Sequence, residues 1–361
     1  MVRPALCLLA CLACTSPDAA PGGPLTWRLV EELRIGGAET GPESFIDVRS
    51  IAVDGAGRIH ILDTQARQIR VFDATGDHIR TLGRDGRGPG EFVLPNGMGF
   101  APDGTLLVYD ARADRVTAFD SSGQVVATEP LPIYSFGYLW DGIVDTAGRI
   151  IDRIRLPGPE REARLRRTDL ATGSADTLAL HSCGAPAVPA YAFPRGFASV
   201  PFAGGPVSIV DPRGYTWCAD TREYTVLQRR IGSADTVRVI RGTASPVPVT
   251  AAERDSAVAA IGEFMKDVGE ADVDWSLIPD HKPILEALDV DAAGRLWVRV
   301  ATPEHGTRFD VFDSTGAQVA TAAAAVELPR HLHPVIRGDE LYAVVLDSLD
   351  VPSVVRLRVD R

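Results

Sequence analysis

One phrase recurs along this chain: an apolar run, an Asp or similar polar residue, a turn with glycine, then a second apolar run. It reads Ile51-Ala52-Val53-Asp54-Gly55-Ala56-Gly57-Arg58-Ile59-His60-Ile61-Leu62-Asp63 and returns as Met98-Gly99-Phe100-Ala101-Pro102-Asp103-Gly104-Thr105-Leu106-Leu107-Val108-Tyr109-Asp110. Self-similarity at this spacing dictates a repeat architecture. The turn glycines are Gly57, Gly104, Gly148, Gly214 and Gly294, with Gly338 as a degenerate sixth. A second hairpin follows most of them, with its own turn at Gly76, Gly123, Gly173 and Gly316 and a fainter copy at Gly232. Asp opens such turns by bonding backbone N–H groups two residues on, and Gly accepts positive φ without a Cβ clash.

Four antiparallel strands in ~40–45 residues make the blade of a β-propeller. A single blade cannot cover its own two faces, so the blades close into a ring. The inner strands fall at 50–54, 97–101, 141–145, 207–211, 287–291 and 335–338, which counts six blades. The last blade has only three strands, at 335–338, 341–346 and 354–359. The segment Thr26–Ile35, apolar at Trp27, Leu29, Val30, Leu33 and Ile35, is expected to supply the fourth. Closure of this kind removes exposed sheet edges. The fold expected is all-β: a six-bladed β-propeller over residues 26–361, closed by an N-terminal strand.

Two stretches interrupt the repeat. Thr250-Ala251-Ala252-Glu253 is a capping box, followed at helical spacing by Val258, Ile261, Met265 and Val268. This predicts a helix from Thr250 to about Val268, within an insertion at 245–283 between blades four and five. The segment 182–206, rich in Pro, Gly and Ala, joins blades three and four. Insertions in repeat proteins gather on one face, often the binding face.

The segment Gly83-Arg84-Asp85-Gly86-Arg87-Gly88-Pro89-Gly90-Glu91-Phe92, with Pro95 and a blade strand after it, resembles the linker of bacterial six-bladed propeller lipoproteins of the NHL-like and TolB-like kind. Gly294-Arg295-Leu296-Trp297-Val298 and the ending from Gly338 through Pro352 are similar to the same group. The resemblance spans roughly Trp27 to Arg361 and is poorest in blades three and four. It implies the fold and an envelope location, and it supplies no shared catalytic motif.

The N-terminus supports such an address. Arg3 precedes an apolar run from Ala5 to Ala13, a compact secretory signal too short to span a bilayer. Leu8-Leu9-Ala10-Cys11 and Cys11-Leu12-Ala13-Cys14 both resemble lipoboxes, in which the Cys is lipidated and becomes the new terminus. Cys14 leaves the longer hydrophobic stretch and is the expected lipidation site, with Cys11 as the alternative and plain secretion, cleaved near Ala20, as the competing reading. Residues 1–14 are then signal and lipobox, and residues 15–25 a flexible tether. Cys183 and Cys218 remain in the mature chain; they are a candidate disulfide in an oxidising compartment, or two buried thiols. The formal net charge of −11 argues against a nucleic-acid partner.

Candidate sites are few. Asp54, Asp145, Asp211 and Asp291 end inner strands near one end of the channel. They either form a carboxylate ring for Ca²⁺, which takes six to eight oxygens, or each opens its own turn. His331 and His333, spaced i, i+2, would face one side of an extended strand and suit Zn²⁺, but no third ligand can be named. The glycines of the Gly83–Glu91 loop lead into a strand and not a helix N-terminus, which argues against phosphate binding; Arg84 and Arg87 there face an acidic partner or solvent. Trp217 and Trp297 fall in second strands and belong to the core, whereas Trp275 suits a surface contact. No Gly-x-Ser-x-Gly motif is present.

With no residue to name as catalytic and no cofactor beyond a candidate Ca²⁺, the chain reads as a non-enzymatic binding or protein-interaction scaffold. It would be lipid-anchored in a bacterial cell envelope, periplasmic or outward facing, monomeric, and bound to an envelope protein, a peptide or a glycan. The alternative is a metal-dependent propeller enzyme, a lactonase-like hydrolase or lyase, with its site at the central channel mouth. Fold analogy does not choose between them, because function lives in the site.

Overall fold

A computed structural model describes residues 23–132, 140, 142–155 and 163–361. The expected signal, lipobox and most of the tether lie outside the described residues. Six blades surround a channel. Their inner strands are Val48–Val53, Pro95–Phe100, Ile143–Val144, Pro206–Asp211, Leu285–Val290 and Val335–Arg337. Blades one to four are separate four-stranded antiparallel sheets. Blade three has the shortest inner strand, two residues against the five anticipated, consistent with its degenerate repeat.

Blades five and six are joined into one eight-stranded sheet by the N-terminal strand Leu25–Gly36. From Arg28 to Gly36 it pairs antiparallel with Pro352–Asp360 and completes blade six; Leu25 to Leu29 pair parallel with Ala320–Ala324 at the outer edge of blade five. Closure by this strand was expected, but its second seam was not. The alanines make the seam feasible. Ala320, Ala322 and Ala324 are buried, and Trp27, opposite Ala322, packs in the same cluster as these small side chains. The Trp27 ring lies 6.0 Å from that of Trp297, with the Arg295 and Arg361 guanidinium groups 5.6 and 5.5 Å from its centroid. Cations over an indole face are attracted by its quadrupole.

Neighbouring blades are tied by buried polar contacts as well as apolar clusters. Tyr109 donates to Asp152 at 3.2 Å from blade two to blade three, and Tyr224 to Asp310 at 2.6 Å from blade four to blade five. Arg337 donates to the carbonyls of Val53 and Asp54 at 2.9 and 2.6 Å, joining blade six to blade one.

The helix runs Ala251–Val268, with Thr250 as N-cap and Glu253 completing the capping box. It packs on a hairpin that the sequence does not announce, Ala190–Phe193 with Gly196–Ser199. Tyr191, Phe193, Val200, Ile261 and Ile278 form a satellite core there. Trp275 is half-buried in it, edge-on to Tyr191 at 5.8 Å, and is not a free surface aromatic. Cys183 and Cys218 are joined as a disulfide, with Cα atoms 5.9 Å apart. Among the described residues no helix is long and apolar enough to cross a membrane.

Candidate active site at the channel mouth

The channel holds a cavity of about 360 Å³ walled by the inner strands and the segments that lead into them. It is lined by apolar strand residues and by a small polar set: Arg49, Ser208, Asp289, His331 and His333, with Trp140 on one wall. A concave apolar pocket with a few convergent polar groups is the usual form of a small-molecule site.

Asp289 sits on the inner strand of blade five, two residues before the turn residue Asp291. It is buried, and its Oδ1 lies 2.7 Å from Nδ1 of His333. Its Oδ2 faces the Arg299 guanidinium at 3.9 Å. Arg299, fully buried on the adjoining strand, donates through Nη1 to the carbonyls of Leu328 and Pro329 at 3.0 and 3.1 Å. One cation therefore steadies both the carboxylate and the loop that carries the two histidines. A carboxylate on Nδ1 fixes the tautomer with the proton on that nitrogen, so Nε2 carries the basic lone pair. His333 is half exposed at the cavity. Its neighbour His331 is held below the ordinary histidine range by burial first and by the Arg49 guanidinium second.

Trp140 stacks on Tyr109, ring centroids 4.3 Å apart and 19° from parallel. Two glycines make room for it. A Cβ on Gly142 would stand 2.2 Å from the indole, and one on Gly97 2.6 Å from the Trp140 Cβ. Ser208, across the cavity, accepts from Arg153 at 2.9 Å.

The other expected sites resolve differently. Asp54, Asp145, Asp211 and Asp291 do not form a cation ring. Each closes its own turn: Asp54, Asp145 and Asp211 accept the N–H two residues on at 2.9 Å, and Asp291 that of Arg295 at 2.8 Å. Each is also matched by its own arginine, Arg58, Arg149, Arg213 and Arg295. Asp211 and Asp291 additionally accept the indole N–H of Trp217 and Trp297. Four locally neutralised carboxylates have no charge left over for a shared ion, which corrects the Ca²⁺ reading. His331 and His333 lie in the loop before the inner strand of blade six and not on an extended strand. Among the described residues no group of three or more His, Cys, Asp or Glu side chains is arranged to hold a metal ion. Catalytic zinc takes three protein ligands, so the donor set at this mouth does not fit one. Arg84 is engaged by Glu91 at 2.8 Å within its own loop. The helical insertion stays outside the mouth; Leu277, Pro279, Lys282 and neighbours line a separate apolar groove of about 460 Å³.

His60 is a buried histidine at the contact of blades one and two, edge-on to Phe100 at 5.0 Å and 3.5 Å from Asp54. Burial pushes it down to about 4 against the opposing pull of Asp54. Unfolded histidine titrates near 6.5, so between those values the unfolded chain binds the extra proton. The stability this neutral ring contributes is complete above pH 6.5 and is lost as pH falls toward 4, about 3 kcal/mol over the full span. Urea midpoints measured from pH 7 to 4.5 will fall, and the fall will be smaller in His60→Phe; parallel pH curves would exclude His60 as the cause.

The comparisons with known proteins agree on the ring. A family model described as a 6-bladed beta-propeller matches residues 34–140, the first two blades. A solved member of the DUF4221 family from Bacteroides vulgatus is 12% identical, with 93% of this chain and 98% of that one covered and a TM-score of 0.53. A Bacteroides fragilis protein described as exported is 13% identical, with coverage of 93% and 96% and a TM-score of 0.52. A virginiamycin B lyase from Staphylococcus aureus is 12% identical, with coverage of 92% and 99% and a TM-score of 0.49. No curated protein of significant similarity is found. At these identities the likeness speaks for the fold.

The expectation of a non-enzymatic scaffold is corrected here. The channel holds a carboxylate-oriented imidazole that the sequence leaves unassembled, His333 on buried Asp289. The sequence presents His333 only as a candidate metal ligand and does not pair it with Asp289. One signal was available: Asp289 is a carboxylate inside an inner strand, where turn chemistry does not require one.

Proposed function

We propose that the protein is a propeller enzyme acting on a small carbonyl compound, a lactone or ester, at the channel mouth. The observation that carries this is the 2.7 Å contact between His333 Nδ1 and buried Asp289 at the wall of the cavity. Nε2 of His333 takes a proton from water as the water oxygen bonds to the carbonyl carbon. The carbonyl oxygen becomes an oxyanion beside Arg49; as it collapses, the carbon–oxygen ester bond breaks and the leaving alkoxide takes the proton back from the imidazolium. Asp289 is a positioning residue and Trp140 offers a flat apolar wall. No step is routed through a metal. The test is turnover of a panel of lactones and aryl esters by the purified chain and by His333→Ala. An inactive wild type, or a variant as fast as the wild type, overturns the proposal.

We infer further that the chain is exported and belongs to the NHL-like and TolB-like propeller lipoproteins, anchored through Cys14. The Cys183–Cys218 disulfide supports an oxidising compartment, and one similar structure is described as an exported protein. A palmitate analogue will label the wild type and Cys11→Ser but not Cys14→Ser; label persisting in the last variant moves the anchor to Cys11, and none in any removes it.

A further inference from the structure

Beside the channel mouth, between blades six and one, lies a second cavity of about 580 Å³. Arg49 and His331 line both, so the two cavities are neighbours across that pair. Their chemistry differs. The channel side presents Asp289, His333 and Ser208, whereas the groove side presents mainly Ile46, Val48, Leu332, Leu346 and Pro352, with Asp47 and Asp350 as its carboxylates. Ile46 is 57% exposed and Leu346 41%, large apolar side chains held toward solvent along the groove.

The groove is built and not incidental. Fully buried Asp63 accepts the backbone N–H groups of Ile46 and Asp47 at 3.0 and 3.2 Å, which fixes the wall that displays Ile46. Asp47 in turn holds Arg49 through its Nε at 2.9 Å, setting the guanidinium at the junction. On the opposite wall Leu332 lies between the two histidines in sequence and packs against the blade six and blade one core. A polar reacting centre beside a mainly apolar trough suits a molecule with both characters.

We infer that the substrate is bipartite: an ester or lactone head in the channel at His333, and an unbranched apolar acyl tail laid across Ile46, Leu332 and Leu346. This rests on the enzymatic reading for its head and on the groove alone for its tail. Arg49 sits where head and tail join and faces the acyl carbonyl. Each methylene buried in the groove adds about 0.8 kcal/mol, roughly a fourfold gain in affinity.

The experiment is a series of p-nitrophenyl esters from acetyl to decanoyl, with calorimetric titration of acetate, hexanoate and decanoate in parallel. KM is expected to fall about fourfold per added methylene until the groove is filled, with kcat changing less. Ile46→Asp and Leu346→Asp, both at exposed positions that tolerate substitution, are expected to flatten that dependence and to abolish decanoate binding. Turnover with no chain-length dependence overturns the tail site while leaving the enzymatic proposal standing. Chain-length-dependent carboxylate binding without any turnover supports the groove and overturns the enzyme. A dimer in ultracentrifugation that disappears in the two variants assigns the groove to a second copy of the chain and overturns the tail.

Discussion

Trp27→Ala will lower the free energy of unfolding by about 3–5 kcal/mol, the range for deleting a buried aromatic from a packed core. The side chain belongs to a cluster shared by blades five and six, with Trp297, Phe309 and the buried alanines as neighbours. Those alanines cannot expand to refill the space, so the cavity persists. The measurement is a denaturant melt: the midpoint will drop with little change in slope if the ring still closes. A lower slope would mean that the native ring has already opened. Arg28, next in sequence, supplies the control. Its pair with Asp360 is exposed, and Arg28→Ala will shift stability by less than about 1 kcal/mol. Equal effects at the two positions would refute the seam as the source of stability.

His333→Ala will reduce turnover of the best ester by about 10²–10⁴-fold, the usual contribution of a positioned general base. Asp289→Asn will come close to it by another route. An amide no longer holds the imidazole in the productive tautomer, and the cation that forms at His333 loses its facing charge. Asp289→Asn also removes the carboxylate that faces the buried Arg299 guanidinium, so it will melt earlier than His333→Ala. Activity measured well below both melting points separates these effects. Full turnover in Asp289→Asn would refute the pair and leave His333 a bystander.

Much of the ring is legible in the residues, because each blade repeats a local rule. Asp54, Asp145, Asp211 and Asp291 are turn residues wherever they occur, and the capping box at Thr250 and Glu253 places the helix start to within a residue. The closing strand is legible from the missing fourth strand of the last blade. What is not legible depends on distance in the chain. His333 and Asp289 are 44 residues apart and meet only because blades five and six are neighbours in the ring. The hairpin Ala190–Ser199 carries no strong alternation and is stabilised by the helix it covers, some 60 residues on. Trp140 owes its place to Gly97 and Gly142, glycines that do not sit at hairpin turns and so give no repeat signal.

The strand that shuts the ring is also the first part of the fold that any upstream tether would pull. Its bonds to Pro352–Asp360 run across its length, so a load entering at Leu25 acts as shear on a whole ladder of bonds at once. Such a joint resists tension far better than one that peels open pair by pair, and it would let a surface-held wheel bear drag without coming undone.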